Sequence, residues 1–274
     1  MTVPKHSTVQ VWREDGLEPD RVAEEVPVAL LFNGQAHVVM MCTPADLEDF
    51  ARGFAVTEDI VAGVDEIEGL VVTELPEQGG YEVDVRIPET RAEKLAGRQR
   101  NLQGRTGCGL CGAQTIEAAI RPVRRVPAGT RLGLPAIRRA LEALRRQQPL
   151  NAETGATHAA AWATPDGLIV ATREDVGRHN ALDKLIGHLL VTRQDLSRGF
   201  VVITSRASYE MIQKASCVGM PVVVAISAPT AYAVRLAEEA GITLIGFARA
   251  DRQVVYACPG RLSQGGSGAE APKA

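Results

Sequence analysis

The sequence predicts an α/β fold, a parallel sheet covered on both faces, preceded by a smaller α+β region. Three observations carry this. Between residues 200 and 249, short apolar, β-branched runs alternate with amphipathic stretches: FVVITS then SYEMIQKASCVG, PVVVAIS then APTAYAVRLAEEAG, and ITLIGFAR as a last strand. Strands buried on both faces read as continuous apolar runs, and parallel pairing needs helical crossovers between them. Two turn sequences, Asn33-Gly34 and Pro165-Asp166-Gly167, each stand between apolar runs and mark hairpins. Finally, 274 residues with 45% hydrophobic and 23% charged side chains suit one large or two modest globular domains.

A formal charge of -3, from 30 basic and 33 acidic residues, argues against bulk electrostatic binding of nucleic acid. No apolar run approaches membrane-spanning length, and the start, MTVPKHSTVQ, lacks the apolar core of a signal peptide. The expected location is the cytoplasm. Five cysteines, an odd number without framework spacing, fit a reducing compartment.

Taken in order, residues 1–20 read as a loose lead-in with one edge strand at 8–12. VPVALLF and AHVVMM flank Asn33-Gly34 as the first hairpin. Thr43-Pro44 then starts a helix, with Pro in its first turn and acids after it. LVVTEL and YEVDVRI are two further strands. This region, 1–105, shows no catalytic residues of its own and reads as scaffold or dimer surface. Residues 91–107 turn polar and basic and read as a hinge into a linker over 106–133. A basic amphipathic helix covers 134–147: with Ile137, Leu141 and Leu144 facing the core, Arg138, Arg139, Arg145 and Arg146 face solvent or an acidic partner. THAAAWAT and LIVATRE form the second hairpin, GRHNALDKLIGHLL a helix, and the three βα units complete an α/β domain over 134–260. The Gly- and Ser-rich tail, 261–274, reads as disordered.

Residues 104–115, GRTGCGLCGAQT, place Cys108 and Cys111 at i and i+3 among glycines that let a partner approach the backbone. A helix expected over 113–120 sets the second thiol near a helix N-terminus. Arg91, Lys94, Arg98, Arg100 and Arg105 approach from the other side; both influences favour a thiolate. A structural zinc site, a thioredoxin-like redox pair, a sulfur-transfer loop and two unpaired buried thiols all remain open. Zinc lacks a second ligand pair, because Cys42, Cys217 and Cys258 are isolated and the histidines show no ligand spacing.

Function in such sheets collects at the carboxyl ends of the strands. There the sequence offers Thr204, Ser205, Arg206 and Ser208 after one strand, Ser227, Pro229 and Thr230 after the next, and Arg249 and Arg252 after the last. Hydroxyls, arginines and helix N–H groups suit an anionic, nucleotide-like ligand, whereas ordinary N-capping by Ser and Thr explains any one loop. His179 sits among Asp175, Arg178, Asn180 and Asp183, a polar network that either shapes a site or caps a helix.

The ordered set TGCGLCG, THAAAW, REDVGRHNALDK, TSRASYEMIQKA and SAPTAYAVRLAEEAGITLIGFAR, with EEVPVALLFNG and GFAVTEDI before it, resembles the FdhD family of formate dehydrogenase accessory sulfurtransferases. The resemblance runs from about residue 20 to 258. It implies a fold similar to that of cytidine deaminases, a mixed/parallel sheet with helices on both faces. The helix starts that hold zinc in those enzymes carry Arg178-His179-Asn180-Ala181 and Ser205-Arg206-Ala207-Ser208 here, which implies no zinc and no deamination. It further implies that Cys108 bears a persulfide, with Cys111 assisting or resolving, and that Phe247, Ala248, Arg249, Ala250, Asp251 and Arg252 bind the molybdenum (or tungsten) bis-guanine-dinucleotide cofactor as cargo. The implied partners are a cysteine desulfurase, formate dehydrogenase and a second copy of the chain in a homodimer; nucleic acid and membrane are not among them. A cofactor-binding chaperone without sulfur transfer and a thiol-disulfide oxidoreductase are the competing readings.

Overall fold

The computed structural model describes residues 4–100, 122–249 and 252–263. Cys108, Cys111, Arg105, Ala250, Asp251, the helix expected over 113–120 and the tail from 264 onward lie outside the described residues. No helix among the described residues is long and apolar enough to cross a membrane.

The chain opens with a hairpin, β1 (His6–Arg13) and β2 (Gly16–Ala23), paired throughout their length. A single edge strand was expected there; the turn at Glu14-Asp15 lacks the usual glycine inside it and places Gly16 just after, at φ 121°. β3 (Val26–Phe32), β4 (Gln35–Cys42), β5 (Gly69–Leu75) and β6 (Gly80–Arg86) form a sheet in the order β4-β3-β6-β5. Asn33-Gly34 makes the hairpin turn at positive φ, as its sequence requires. Alternation along β3 and β6 sends Val28, Leu30, Phe32, Val83 and Val85 to one face, where they pack on Phe50, Ala51, Phe54 and Ala55 of α1 (Leu47–Thr57).

α1 begins at Leu47, past the expected start at Thr43-Pro44, because Thr43 is spoken for elsewhere. It is fully buried, and its N–H, hydroxyl and carbonyl all bond to the second half of the chain. The hinge expected from residue 91 begins instead as a helix, α2 (Glu89–Arg100). Only Leu95 of its described side chains is buried, so its periodicity is faint in sequence. Arg91 is anchored by Glu66 at 2.8–2.9 Å.

After a short β7 (Leu132–Gly133) come α3 (Leu134–Arg146), α4 (Pro149–Thr154), β8 (His158–Ala163), β9 (Ile169–Asp175), α5 (Arg178–Val191), β10 (Phe200–Ile203), α6 (Tyr209–Cys217), β11 (Val222–Ala225), α7 (Ala231–Ala240), β12 (Thr243–Gly246), β13 (Val254–Ala257) and β14 (Leu262–Ser263). The main sheet has the order β13-β12-β11-β10-β8-β9. β10, β11 and β12 are parallel to their neighbours in that trio, while β8, β9 and β13 pair antiparallel, so the sheet is mixed. One face (Ala160, Trp162, Val201, Ile203, Val223, Leu244) packs on α5, α6 and α7. The other (Ala161, Phe200, Val202, Val222, Val224) packs on Ile137, Ala140, Leu141 and Leu144 of α3, which turns Arg138, Arg139, Arg145 and Arg146 outward. β14 pairs with β7, and so carries the ordered domain past the boundary expected at 260.

The two sheets meet where α1 crosses α5. Gly53 and Gly187 bring the two backbones together: a Cβ on Gly53 would stand 1.8 Å from the Asp183 carbonyl oxygen, and one on Gly187 1.9 Å from that of Asp49. Around this crossing lies a buried polar network. Lys184 Nζ sits 2.6 Å from Asp175 Oδ2 with both side chains fully buried, and donates to the Thr43 carbonyl at 3.0 Å. Asp175 also accepts from the N–H groups of Thr43 and Gly177 and from Asn180 Nδ2. Next to it, Lys214 Nζ donates to Asp183, Glu58 and the Thr57 hydroxyl at 2.8–3.1 Å. Burial alone would lower the Lys214 pKa, but the fields of Asp183 and Glu58 outweigh it and hold the ammonium above its ordinary value.

Candidate functional site

Because β10, β11 and β12 run in register side by side, their carboxyl ends and the helix starts that follow form one rim. The loop after β10 is tied to the loop after β11 by a bridge between Ala207 and Pro229, and Thr230 N–H donates to the Ala207 carbonyl at 3.0 Å. The loop after β11 is tied in turn to the segment after β12: Phe247 N–H donates to the Ser227 carbonyl at 3.1 Å, and Ala248 N–H to that of Ala225 at 3.0 Å. Arg249 N–H donates to the Arg252 carbonyl at 2.8 Å and closes the last turn, whose inner residues, Ala250 and Asp251, lie outside the described residues.

The expected site residues divide. Thr204 exchanges hydrogen bonds with the backbone of Ala159, and Ser205 is buried and donates to the Arg206 carbonyl; both shape the loop. Thr230 Oγ1 caps α7 by accepting from Ala233 N–H at 3.2 Å. Ala248 is buried. Arg206, Phe247, Arg249 and Arg252 are exposed, and Ser227 is half-buried beside them. Phe247 is unusual twice over: its backbone is left-handed at φ 48°, and 41% of the residue is open to solvent. A bulky residue held in that region stores strain, and the ties to Ser227 and Ala225 impose it. The rim therefore presents three guanidinium groups and one aromatic face, a combination suited to phosphates and a stacked base.

His179 parts company with the neighbours its sequence suggested. Asp175, Asn180 and Asp183 belong to the buried network under α1, so most of REDVGRHNALDK holds the two sheets together. His179 points instead to the start of α6, with Nε2 2.6 Å from Glu210 Oε2; Arg178 Nη2 lies 4.0 Å from the same oxygen. His158 joins this group because β8 runs against β10, which sets the first residue of β8 beside the last residues of its neighbours. The sequence names Arg178 only as part of the network around His179, and His158 and Glu210 not at all: strand direction, which brings His158 here, is invisible in a single apolar run. Burial pushes the His158 imidazole below its ordinary 6.5, the charges of Arg178 and His179 push the same way, and Asp175 opposes them. As pH falls through 6.5 the unfolded chain takes a proton that the folded chain refuses, so this residue removes stability over that interval. Titration followed by NMR should place the His158 midpoint below 6.5; a midpoint above it would contradict the geometry.

After the segment bearing Cys108 and Cys111, the chain re-enters the described structure at the C-terminal ends of α6 and α7, opposite the rim. Arg124 N–H donates to Ser216 Oγ near the end of α6, and Val126 N–H to the carbonyl of Ala240, the last residue of α7. Cys42 is buried and accepts from Asn180 Nδ2 at 3.3 Å; burial first, then Asp175, raise its thiol pKa well above the ordinary value, which disfavours the reactive thiolate. Among the described residues no group of three or more His, Cys, Asp or Glu side chains is disposed to hold a metal.

The family model described as FdhD/NarQ matches residues 23–263. The chain belongs to the FdhD/NarQ family. Relatives named "Sulfur carrier protein FdhD" bear this out. That of Cupriavidus necator is 50% identical over 263 residues, covering 94% of this chain and 91% of the relative; that of Xanthomonas euvesicatoria pv. vesicatoria is 51% identical over 246 residues, covering 90% and 87%. A crystal structure from Desulfotalea psychrophila, described as a candidate formate dehydrogenase accessory protein, shares the fold with a TM-score of 0.74 at 23% identity, over 94% of this chain and 98% of that one. The α/β architecture with its N-terminal α+β region is thus shared with that structure.

Proposed function

We propose that this chain is a cytoplasmic sulfur carrier: it takes sulfane sulfur from a cysteine desulfurase as a persulfide on Cys108 and transfers it to a molybdenum bis-guanine-dinucleotide cofactor before that cofactor enters formate dehydrogenase. The observation that carries the cargo half is the rim, where Arg206, Arg249 and Arg252 stand exposed with Phe247. Each half of the cofactor brings a pyrophosphate, which arginine forks grip in pairs, and a guanine, which stacks on an aromatic face. The sulfur half is supported by the Cys108/Cys111 pair and by the names of relatives at half identity.

In the loading step the Cys108 thiolate attacks the terminal sulfur of the desulfurase persulfide. A new S–S bond forms on Cys108, the old S–S bond breaks, and the desulfurase cysteine leaves as thiolate, so no external oxidant is needed. Cys111 then assists or resolves. We further propose that the protein works as a homodimer.

The test is cyanolysis after incubation with desulfurase and cysteine. Wild type is expected to release thiocyanate, and Cys108→Ala to fall to the level of desulfurase alone; equal yields would overturn the assignment. A Cys108→Ala/Cys111→Ala variant that still supports formate dehydrogenase activity in cells would show a cofactor chaperone instead, and turnover of insulin disulfides a thiol-disulfide oxidoreductase.

A further inference from the structure

The junction between the starts of α5 and α6 holds polar groups that the proposed function leaves unused. Arg178 and His179 form the first turn of α5, and Glu210 lies in the first turn of α6. Glu210 takes His179 Nε2 at 2.6 Å and has Arg178 Nη2 at 4.0 Å, which leaves Arg178 Nε buried and without a partner. Ser208 occupies the N-cap position of α6, yet its hydroxyl caps nothing and is itself buried without a partner. Gly177, at the N-cap of α5, has no side chain to offer. His158 borders the same group and feels the charges of both Arg178 and His179.

Each buried, unpaired polar atom costs about 1–3 kcal/mol, and native structures keep few of them. Here Arg178 Nε and Ser208 Oγ are two such atoms, from two helices that a single carboxylate, Glu210, joins; His179 Nε2, though 2.6 Å from Glu210, makes no well-aligned hydrogen bond either. A guanidinium N–H and a hydroxyl donate, and two helix starts add positive potential, so the group that completes them is an acceptor bearing negative charge. A metal cation is excluded by the guanidinium. We propose that the α5/α6 junction is a second anion subsite, taking a phosphoryl group through Arg178 Nε and Ser208 Oγ, with Glu210 positioning Arg178 and His179. It adjoins the rim without coinciding with the 247–252 turn: Ser208 follows β10, and β10 and β12 are separated by β11 in the sheet, two strand spacings or about 10 Å. The subsite does not depend on sulfur transfer. Its phosphoryl group comes either from a free inorganic anion or from a nucleotide that spans the rim.

Isothermal titration of the full-length protein with inorganic pyrophosphate, and separately with GDP, tests this. Wild type should bind pyrophosphate, and Arg178→Gln should weaken that binding about tenfold or more, with Ser208→Ala weakening it several-fold. Arg178→Lys keeps a cation for Glu210 but lacks the side-on N–H, so it should lose affinity like Arg178→Gln while melting like wild type. The rim arginines can take pyrophosphate as well, so the subsite is read as the component of binding that Arg178→Gln removes and that persists in Arg252→Gln. If GDP competes with pyrophosphate and Arg178→Gln weakens both, the subsite serves a nucleotide; if pyrophosphate binds equally well in the presence of saturating GDP, it serves a free anion. No pyrophosphate binding by wild type, or binding that Arg178→Lys and Ser208→Ala leave unchanged, overturns the proposal. Persulfide yield by cyanolysis should be the same in all these variants, which separates this outcome from the fate of the sulfur-carrier reading.

Discussion

Lys184→Met should destabilise the protein by about 3–5 kcal/mol, the usual range when one partner of a buried ion pair is removed. The ammonium is fully buried between Asp175 and the Thr43 carbonyl. Methionine fills nearly the same volume, so the loss is electrostatic: the Asp175 carboxylate would be left with only the N–H groups of Thr43 and Gly177 and the Asn180 amide. Those partners reach from β4 and its exit to α5, so the variant should also loosen the N-terminal sheet from the α/β domain. Urea denaturation followed by circular dichroism gives the free energy. Amide hydrogen exchange should show lost protection at Thr43 and Val176, whose N–H groups bond across this junction. A change below about 1 kcal/mol would mean that the ion pair adds nothing once its desolvation is counted.

Gly187→Ala should cost about 2–3 kcal/mol, against the direction of helix propensity, which favours alanine by about 1 kcal/mol. The added methyl would meet the Asp49 carbonyl oxygen at 1.9 Å, and that oxygen belongs to the α1 backbone and has no rotamer with which to move aside. The helices would have to part, stretching the 2.8 Å contacts of Arg173 with Asp49 and of Lys214 with Asp183. Gly53→Ala meets the Asp183 carbonyl in the same way and should behave alike. Stabilisation by either substitution, measured by thermal melting, would show that the crossing is looser than its geometry.

How much of this could be read beforehand depended on how local the determining physics was. The parallel trio and its crossovers were legible because FVVI, VVVA and TLIG are short, wholly buried strands, and the hairpin at Asn33-Gly34 because its turn needs positive φ. α2 was missed because so little of it is buried. The start of α1 was misplaced because Thr43-Pro44 has the local form of a helix start, while Asp175, Val176 and Lys184, more than a hundred residues away, claim Thr43. At the site, the strand-end loops were placed correctly, yet Thr230 proved to be the cap that the plainer reading had offered, and Thr204 and Ser205 serve their own loop. By sequence alone, the REDVGRHNALDK stretch suggests a ring around His179. A helix sends side chains three or four residues apart the same way, and Asn180, Asp183 and Lys184 do share a face, but it is the one turned toward α1.

The reversal of β8 has a consequence for how the rim tolerates change. His158 shares its face of the sheet with Ala160 and Trp162, which pack on the α5–α7 side, while Ala159 and Ala161 look toward α3. Side chains alternate along a strand, so sliding β8 by a single residue against β10 would swap these two sets and carry the imidazole through to the opposite layer. Thr204, whose hydroxyl accepts from the Ala159 N–H and whose N–H donates to the Ala159 carbonyl, works as the detent against that slide. An insertion in the Pro165–Leu168 turn, by contrast, falls at the far end of the strand and would leave the imidazole where it is.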